Sequence, residues 1–208
     1  MAHHLYVTAS VRTEGSKSSE LGQVFRDALG AKDPQATFSA RDVGITPPPH
    51  PTHTYTVANY TPPEGRTPEM VETLKTSDLL IDEMLAADKL IIAVPMYNFS
   101  VPSTFKAYID NLVRVGRTFF PSESGGFTGA LGEKKAIFIT ARGAMYGEGS
   151  PIREFDMQTP WLQTVYGFMG LTDMTFVHAD GLDFGGPDYR EQSLSAAKAQ
   201  LTEIAQTW

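Results

Sequence analysis

Cysteine is absent from this chain of 208 residues. Its absence excludes disulfides, thiolate nucleophiles, redox-active cysteine pairs, and zinc or iron–sulfur sites built on cysteine. Any redox chemistry therefore has to be carried by a bound cofactor.

Positive charge and long apolar runs are also scarce. Lys and Arg total 17 against 24 Asp and Glu, which gives a formal charge of −7. Nucleic-acid binding usually needs a basic surface, so we expect no nucleic-acid partner, although a local patch could still bind one phosphate group. No stretch approaches the roughly 20 apolar residues that span a bilayer, and Met1–Leu5 does not resemble a signal peptide. We expect a cytoplasmic protein that does not bind membranes.

What is present is typical of a globular domain, with 41% hydrophobic and 20% charged residues. The length is about one to one and a half times that of a common domain. The chain shows neither an internal repeat nor a long linker. We therefore predict a single domain over residues 1–208.

Strand-like and helical segments alternate five times along the chain. The predicted strands are Leu5–Ala9, Ala36–Arg41, Lys89–Val94, Lys135–Thr140 and Met174–Ala179. Apolar residues recur at helical spacing within Glu20–Leu29, Glu69–Ala87, Ser103–Val115, Thr159–Met169 and Leu194–Ala205. This alternation predicts an α/β fold whose parallel sheet is covered by helices on both faces. Ligands of such sheets bind beyond the carboxyl ends of the strands.

Two segments do not fit the alternation. Residues 45–68 contain seven of the 14 prolines and predict a long surface loop. Residues 116–133 are rich in glycine and phenylalanine, and we expect either a lid or part of a subunit contact there.

The turn after the first predicted strand is rich in hydroxyl groups. It lacks both GxGxxG and a Walker pattern, which disfavours a dinucleotide or triphosphate bound in the standard way. A helix follows, and its start offers free N–H groups and the positive end of the dipole. Ser10, Ser16, Lys17 and Ser18 would together bind one terminal phosphate. The alternative is that Ser18 or Ser19 simply caps the helix.

The loop after the third strand carries proline at both ends and aromatic residues between them. Pro95 and Pro102 stiffen it, Tyr97 and Phe99 supply rings, and Asn98 offers a donor and an acceptor. This combination suits a flat heteroaromatic ring with polar edges. The alternative is a hydrophobic loop buried against a neighbouring element.

A family resemblance rests on the run from Pro95 to Phe120, PMYNFSVPSTFKAYIDNLVRVGRTFF. This run closely resembles the FMN-dependent NADH:quinone oxidoreductases known as azoreductases, which belong to the flavodoxin-like NAD(P)H dehydrogenase (quinone) superfamily. The serine loop is similar to the phosphate loop of that family. The Ala141–Ala144 turn is similar to its Ser-Arg-Gly-Gly-like turn, and Gly167–Asp173 is similar to its GF-G-TD segment.

The resemblance implies a flavodoxin-like, three-layer fold with a five-stranded parallel sheet of order 2-1-3-4-5. It also implies a homodimer with flavin near the subunit interface. The implied activity is ping-pong hydride transfer from NADH or NADPH through FMN to quinones or aromatic azo compounds. The rival hypothesis is a flavodoxin-like FMN-binding electron carrier without turnover of small substrates.

The resemblance also implies a set of cofactor-binding residues. They are Ser10, Ser16, Lys17, Ser18, Pro95, Met96, Tyr97, Asn98, Phe99, Thr140, Ala141, Arg142, Gly143 and Ala144. The serine loop would bind the ribityl phosphate and Met96–Phe99 would line the isoalloxazine ring. The 141–144 turn would meet either the pyrimidine edge or the dimethylbenzene surroundings. Ala141 and Ala144 replace the more usual Ser and Gly, which removes a hydroxyl and makes a positive φ less tolerable.

Aromatic side chains are the candidates for substrate contact. We expect Phe99, Phe119, Phe120, Phe127 and Tyr146 to sandwich flat acceptors. We assign no catalytic side chain, because the cofactor carries the reactivity and either water or Tyr146 supplies a proton. We also assign no metal site, since no carboxylate at a supporting spacing accompanies His50 and His53.

Overall fold

The computed structural model describes residues 2–123 and 125–208. Its main sheet has five parallel strands in the spatial order β2-β1-β3-β6-β7. The strands, with the hairpin β4–β5 numbered in chain order, are β1 His3–Thr8, β2 Thr37–Asp42, β3 Lys89–Pro95, β4 Phe119–Pro121, β5 Phe127–Gly129, β6 Lys135–Ala141 and β7 Asp173–Ala179. Counted without the hairpin, this layout is the predicted 2-1-3-4-5.

Helices cover both faces of the sheet. They are α1 Lys17–Lys32, α2 His53–Tyr60, α3 Pro68–Ala86, α4 Ser103–Leu112, α5 Gln158–Phe168 and α6 Pro187–Thr207. One core joins α1 and α6 to the sheet, and the other joins α3, α4 and α5 to its opposite face. Because β3 is covered on both sides, Leu90–Val94 is an unbroken buried apolar run.

The surface loop predicted for residues 45–68 is wrong over its middle, where α2 forms. The Thr52 side chain caps this helix by accepting a hydrogen bond from Tyr55 N. Tyr55 and Ala58 are buried in a small cluster with Leu74 of α3. The prolines flank the helix and do not interrupt it, which is why their number alone was misleading.

The β4–β5 hairpin lies at the amino-terminal edge of the sheet. Leu131 N donates to Met169 O at 2.9 Å, and a Cβ on Gly129 would overlap the backbone of Met169 and Gly170. Met169 and Gly170 join the end of α5 to the start of β7. The hairpin is therefore held at the edge where the parallel strands begin.

Across residues 2–123 and 125–208, every helix lacks the combination of length and apolar character that crossing a membrane requires.

Candidate functional site

A pocket lies at the opposite, carboxyl edge of the sheet, where β1, β3, β6 and β7 end. Its lining comes from the segments that follow these four strands. The lining residues are Ser10, Arg12, Gly15, Ser16, Lys17, Ser18, Pro95, Met96, Tyr97, Ala141, Arg142, Gly143, Leu182, Asp183 and Arg190. Most of the predicted cofactor-binding residues are thus brought together, while Asn98, Phe99, Thr140 and Ala144 lie outside this lining.

One end of the pocket is the start of α1. Ser16 is the N-cap, and its Oγ accepts from Ser19 N at 3.3 Å, so the expectation of a cap at Ser18 or Ser19 is wrong. The first intrahelical bond runs from Glu20 N to Ser16 O. The N–H groups of Lys17 and Ser18 therefore lie in the first turn, where no intrahelical acceptor is available. This arrangement suits an anion.

The charged groups at this end are of mixed sign. Lys17 Nζ bonds to Glu20 at 2.8 Å across the helix surface, which offsets part of its charge. Arg12, Arg190 and Asp183 also line the pocket. The positive side chains outnumber the single carboxylate in the lining, so the pocket favours an anionic group.

Ser10 is the point where three loops meet. Its Oγ accepts a hydrogen bond from Arg12 N at 3.2 Å and lies 3.5 Å from Tyr97 Oη. After β2, the chain passes so close to Ser10 that a Cβ on Gly44 would overlap the Ser10 carbonyl. The contacts with Arg12, Tyr97 and Gly44 hold Ser10 at the floor of the pocket.

The loop after β3 is a tight turn in a strained backbone conformation. Tyr97 N donates to Ser100 O at 3.0 Å, and Ser100 N donates to Tyr97 O at 3.1 Å. The two central residues have positive φ, 49° at Asn98 and 70° at Phe99, the pattern of a type I′ turn. They are the only non-glycine residues of the described ranges with positive φ. A bulky residue held there marks strain, which is often found at functional sites.

The two central side chains of the turn lie outside the pocket lining. Asn98 is exposed, and Phe99 is 49% exposed with its ring edge-to-face against Phe155. The alternative of a loop buried against its neighbour is thus not what forms. Met96 and Tyr97, which precede the turn, line the pocket.

Arg142 is buried and its guanidinium is bound by two carboxylates. Nε and Nη2 donate to Asp180 at 2.5 and 2.7 Å, and Nη1 donates to Asp156 at 2.8 Å. Only 3% of the side chain is exposed. Because both ends of the guanidinium are occupied in this way, the Arg142 side chain is a framework group at the pocket wall.

The two aspartates continue this framework. Asp156 accepts from the backbone N–H groups of Gln158 and Thr159 at the start of α5. Burial alone would raise the pKa of Asp156, but hydrogen bonds from Thr159 and the Arg142 charge outweigh it and lower the pKa. Asp180 accepts from Tyr146 N at 3.0 Å. The charges therefore connect the segments after β6 and β7.

Ala144 and Thr140, at and just before the 141–144 turn, have contacts within the fold and lie outside the pocket lining. Ala144 does not have a positive φ, and its carbonyl accepts from Gly181 N at 3.0 Å, so alanine is tolerated there. Thr140 is buried, and its hydroxyl lies 2.7 Å from His178 Nδ1. Burial, aided by the Arg142 charge, lowers the pKa of His178 to about 4. The Thr140 side chain supports the neighbouring strand.

The predicted substrate aromatics fall into two groups. Phe99 follows the lining residues Met96 and Tyr97 in the chain, and Tyr146 is buried with the Arg142 guanidinium 5.2 Å from its ring centre, but neither residue lines the pocket. Burial raises the pKa of Tyr146, which keeps the phenol protonated. The remaining three, Phe119, Phe120 and Phe127, belong to the hairpin at the other edge of the sheet. They do not line the pocket of their own chain.

Five lining residues were not predicted from the sequence. They are Arg12, Gly15, Leu182, Asp183 and Arg190. The last three follow β7, and the rule that ligands bind beyond strand ends applies to that strand as well. Applying it to the segment after Ala179 would have indicated Leu182 and Asp183, whereas nothing in the local pattern distinguishes Arg190.

Comparisons with known proteins agree with this geometry. Residues 2–205 match the family model described as "Flavodoxin-like fold". The chain is 43% identical to the FMN-dependent NADH:quinone oxidoreductase of Nostoc punctiforme over 208 residues, covering 100% of both chains. It is 38% identical to FMN-dependent NADH:quinone oxidoreductase 2 of Pseudomonas fluorescens, covering 99% of this chain and 100% of the relative.

A solved structure extends the similarity to three dimensions. The azoreductase from Bacillus anthracis superimposes with a TM-score of 0.91 at 27% identity, covering 100% of both chains. The full-length match to the sequence relatives is well above what a shared fold alone would require. The chain therefore belongs to the flavodoxin-like family and, within it, to the family of the FMN-dependent NADH:quinone oxidoreductases.

Proposed function

We propose that this chain, acting as a single domain, is an FMN-dependent NADH:quinone oxidoreductase that also reduces aromatic azo compounds. The observation that carries the proposal is the pocket at the carboxyl edge of the sheet. There, a serine-capped helix start lines one cavity together with Met96 and Tyr97, which lead into the strained turn. One end suits an anion and the other suits a planar ring.

The residues present fit FMN. The hydroxyls of Ser10, Ser16 and Ser18, with the first N–H groups of α1, form a donor set for a phosphate group. Lys17 and Arg12 add positive charge at the same end. When bound, FMN supplies the acceptance of hydride from a nicotinamide and its transfer to a second substrate.

The chain itself contributes binding and orientation. Pro95, Met96 and Tyr97 would flank the ring system, and the backbone of the 141–144 turn would face one of its edges. The rigid turn at Asn98 and Phe99 would fix the ring relative to the incoming substrate.

The overall reaction balances without a catalytic side chain. NADH gives up two electrons and one proton as hydride, and a quinone takes up two electrons and two protons to become a hydroquinone. The second proton comes from water or from Tyr146, whose raised pKa keeps it protonated. An aromatic azo group needs four electrons, and therefore two molecules of NADH, to become two amines.

The hairpin phenylalanines support a homodimer. Phe120 and Phe127 are 43% and 60% exposed at the edge opposite the pocket. They can contribute to a substrate site only across a subunit interface, in which the hairpin of one copy covers the pocket of another. Of the two alternatives for residues 116–133, a lid or part of a subunit contact, this proposal adopts the subunit contact. The cytoplasmic location stays a prediction.

The test is an absorption spectrum followed by turnover. The purified protein is expected to bind FMN, and NADH should then be oxidised when menadione or methyl red is added. Riboflavin, which lacks the phosphate, should bind at least tenfold more weakly if the serine-capped end binds that group. FMN binding without NADH oxidation would favour the electron carrier, and a protein that takes up no FMN would contradict both.

A further inference from the structure

We infer that Phe155, which the sequence did not single out, is a specificity-determining residue for acceptors with a second aromatic ring. The inference rests on the proposed function and concerns the outer part of its site. Phe155 lies in the short 3-10 turn Arg153–Phe155 between β6 and α5. Its ring centre is 5.6 Å from that of Phe99, at an interplanar angle of 69°.

The two rings form a half-covered aromatic pair at the edge of the pocket. Phe155 is 51% exposed and Phe99 is 49% exposed. Met157, two residues further, is 54% exposed. Exposed apolar side chains that cluster beside a pocket typically mark a ligand-binding surface. Methionine adapts to varied shapes and makes favourable contacts with aromatic rings.

Backbone contacts fix this pair to the strained turn. Met157 N donates to Phe99 O at 3.0 Å, so the second positive-φ residue of the turn is tied to the segment that carries Phe155. Asp156, between Phe155 and Met157, is bound by Arg142 at 2.8 Å. The backbone segment that carries the Phe155 ring is therefore held beside the turn by the Arg142–Asp156 ion pair.

The position of the pair indicates its ligand. Met96 and Tyr97 line the pocket, and Phe99 follows them outward along the same turn. A one-ring acceptor stacked at the pocket would end before reaching Phe155. A two-ring azo compound would extend past Phe99, and its outer ring would meet the edge of Phe155 and the thioether of Met157. The pair therefore selects for length and aromaticity of the acceptor.

The experiment compares Phe155→Leu with Phe184→Leu in the FMN-loaded enzyme. Phe184 is the matched control because it is also an exposed phenylalanine, with 82% of the residue exposed. It follows β7, and its N–H donates to Gly143 O of the 141–144 turn. KM and kcat are measured with methyl red and with the one-ring 1,4-benzoquinone. Binding of FMN is measured by fluorescence quenching.

The expected result is a separation between the two acceptors. Phe155→Leu should raise KM for methyl red about three- to tenfold, the range of an aromatic pair contact. Its kcat, its KM for benzoquinone and its FMN affinity should stay within twofold. Phe184→Leu should change none of these, and Phe155→Trp should restore the KM for methyl red.

Two results would overturn the inference. One is an unchanged KM for methyl red in Phe155→Leu, and the other is an equal change for both acceptors or in the Phe184 control. Failure of the proposed function is visible separately, because the wild-type protein would then oxidise no NADH with either acceptor, and the inference would fall with it.

Discussion

The two edges of the sheet are both rich in aromatic residues, yet they are built in different ways. At the carboxyl edge, buried charges and a strained turn determine the geometry, with Arg142 bound by Asp156 and Asp180. At the amino edge, Phe119, Phe127 and Phe168 pack together with ring centres 4.7 to 5.5 Å apart. The first edge depends on polar groups that tolerate little displacement. The second depends on apolar packing, which is well suited to contact with another protein surface.

This difference predicts that the carboxyl edge is the more costly one to disrupt. Arg142→Ala leaves the partly buried carboxylates of Asp156 and Asp180 without their cation, and the expected loss in the free energy of unfolding is about 3–5 kcal/mol. Urea denaturation measures it, with Arg142→Lys as the variant that keeps the charge and should lose less. A loss below about 1 kcal/mol for Arg142→Ala would mean that the ion network does not hold this edge.

A substitution at the amino edge of the sheet should leave FMN binding at the carboxyl edge nearly unchanged. A side chain at Gly129 would overlap the backbone of Met169 and Gly170, so Gly129→Ala should cost about 1–3 kcal/mol of stability. FMN affinity per folded chain should change less than twofold, while methyl red turnover should fall because the proposed interface is displaced.

Gly132→Ala is the control for that substitution. Within the described ranges no atom lies within 4 Å of a Cβ at Gly132, so stability and turnover should match the wild type. A Gly129→Ala protein that loses FMN binding as completely as it loses azo turnover would show that the two edges are not independent.

Substitutions in the strained turn should have a smaller effect, which concerns FMN affinity. Asn98 has a φ of 49°, and alanine adopts this conformation less readily than asparagine, at a cost of about 1 kcal/mol. Asn98→Ala should therefore let the turn relax in the free protein and leave the fold intact, so that regaining the strained conformation weakens FMN binding about fivefold. Asn98→Gly allows the same backbone conformation and should weaken it less. Isothermal titration would contradict the assignment if Asn98→Ala bound FMN as tightly as the wild type.

The smallest effect expected is pH-dependent and confined to the carboxyl edge. The pKa of His178 is lowered from 6.5 to about 4, mainly by burial. As the pH falls, the unfolded chain takes up this proton first, so stability decreases from about pH 6.5 toward pH 4. Between about pH 7 and pH 6, the free energy of unfolding should fall less in His178→Asn than in the wild type, by under about 1 kcal/mol. If the melting temperatures of His178→Asn and the wild type changed equally with pH over that range, the assignment of this effect to His178 would be contradicted.

The sheet and the pocket floor were predictable because their signals are local. The apolar run of β3 indicated a strand covered on both faces, and hydroxyls before α1 indicated an anion site. Strand order came from the family resemblance. α2 was missed because its stability comes from Tyr55 and Ala58 packing against α3, a tertiary contact that local composition does not report.

The role of individual side chains was less predictable. The sequence predicts Arg142 as a cofactor contact. Its partners Asp156 and Asp180 are distant in the chain, so only the folded structure identifies them. The positive φ at Phe99 contradicts the preference of a bulky residue, so no propensity could have indicated it. Phe119, Phe120 and Phe127 were identified as aromatic but could not be assigned to an edge without the topology.

The central claim is that the carboxyl edge of the sheet binds FMN through its phosphate at the start of α1 and through its ring at the turn after β3. A crystal structure of the FMN-loaded protein tests this most directly. The account predicts the phosphate within hydrogen-bond distance of Ser10, Ser16 and Ser18, with the ring system against Met96 and Tyr97. Well-defined FMN anywhere else, or a phosphate that avoids the first turn of α1, would contradict it.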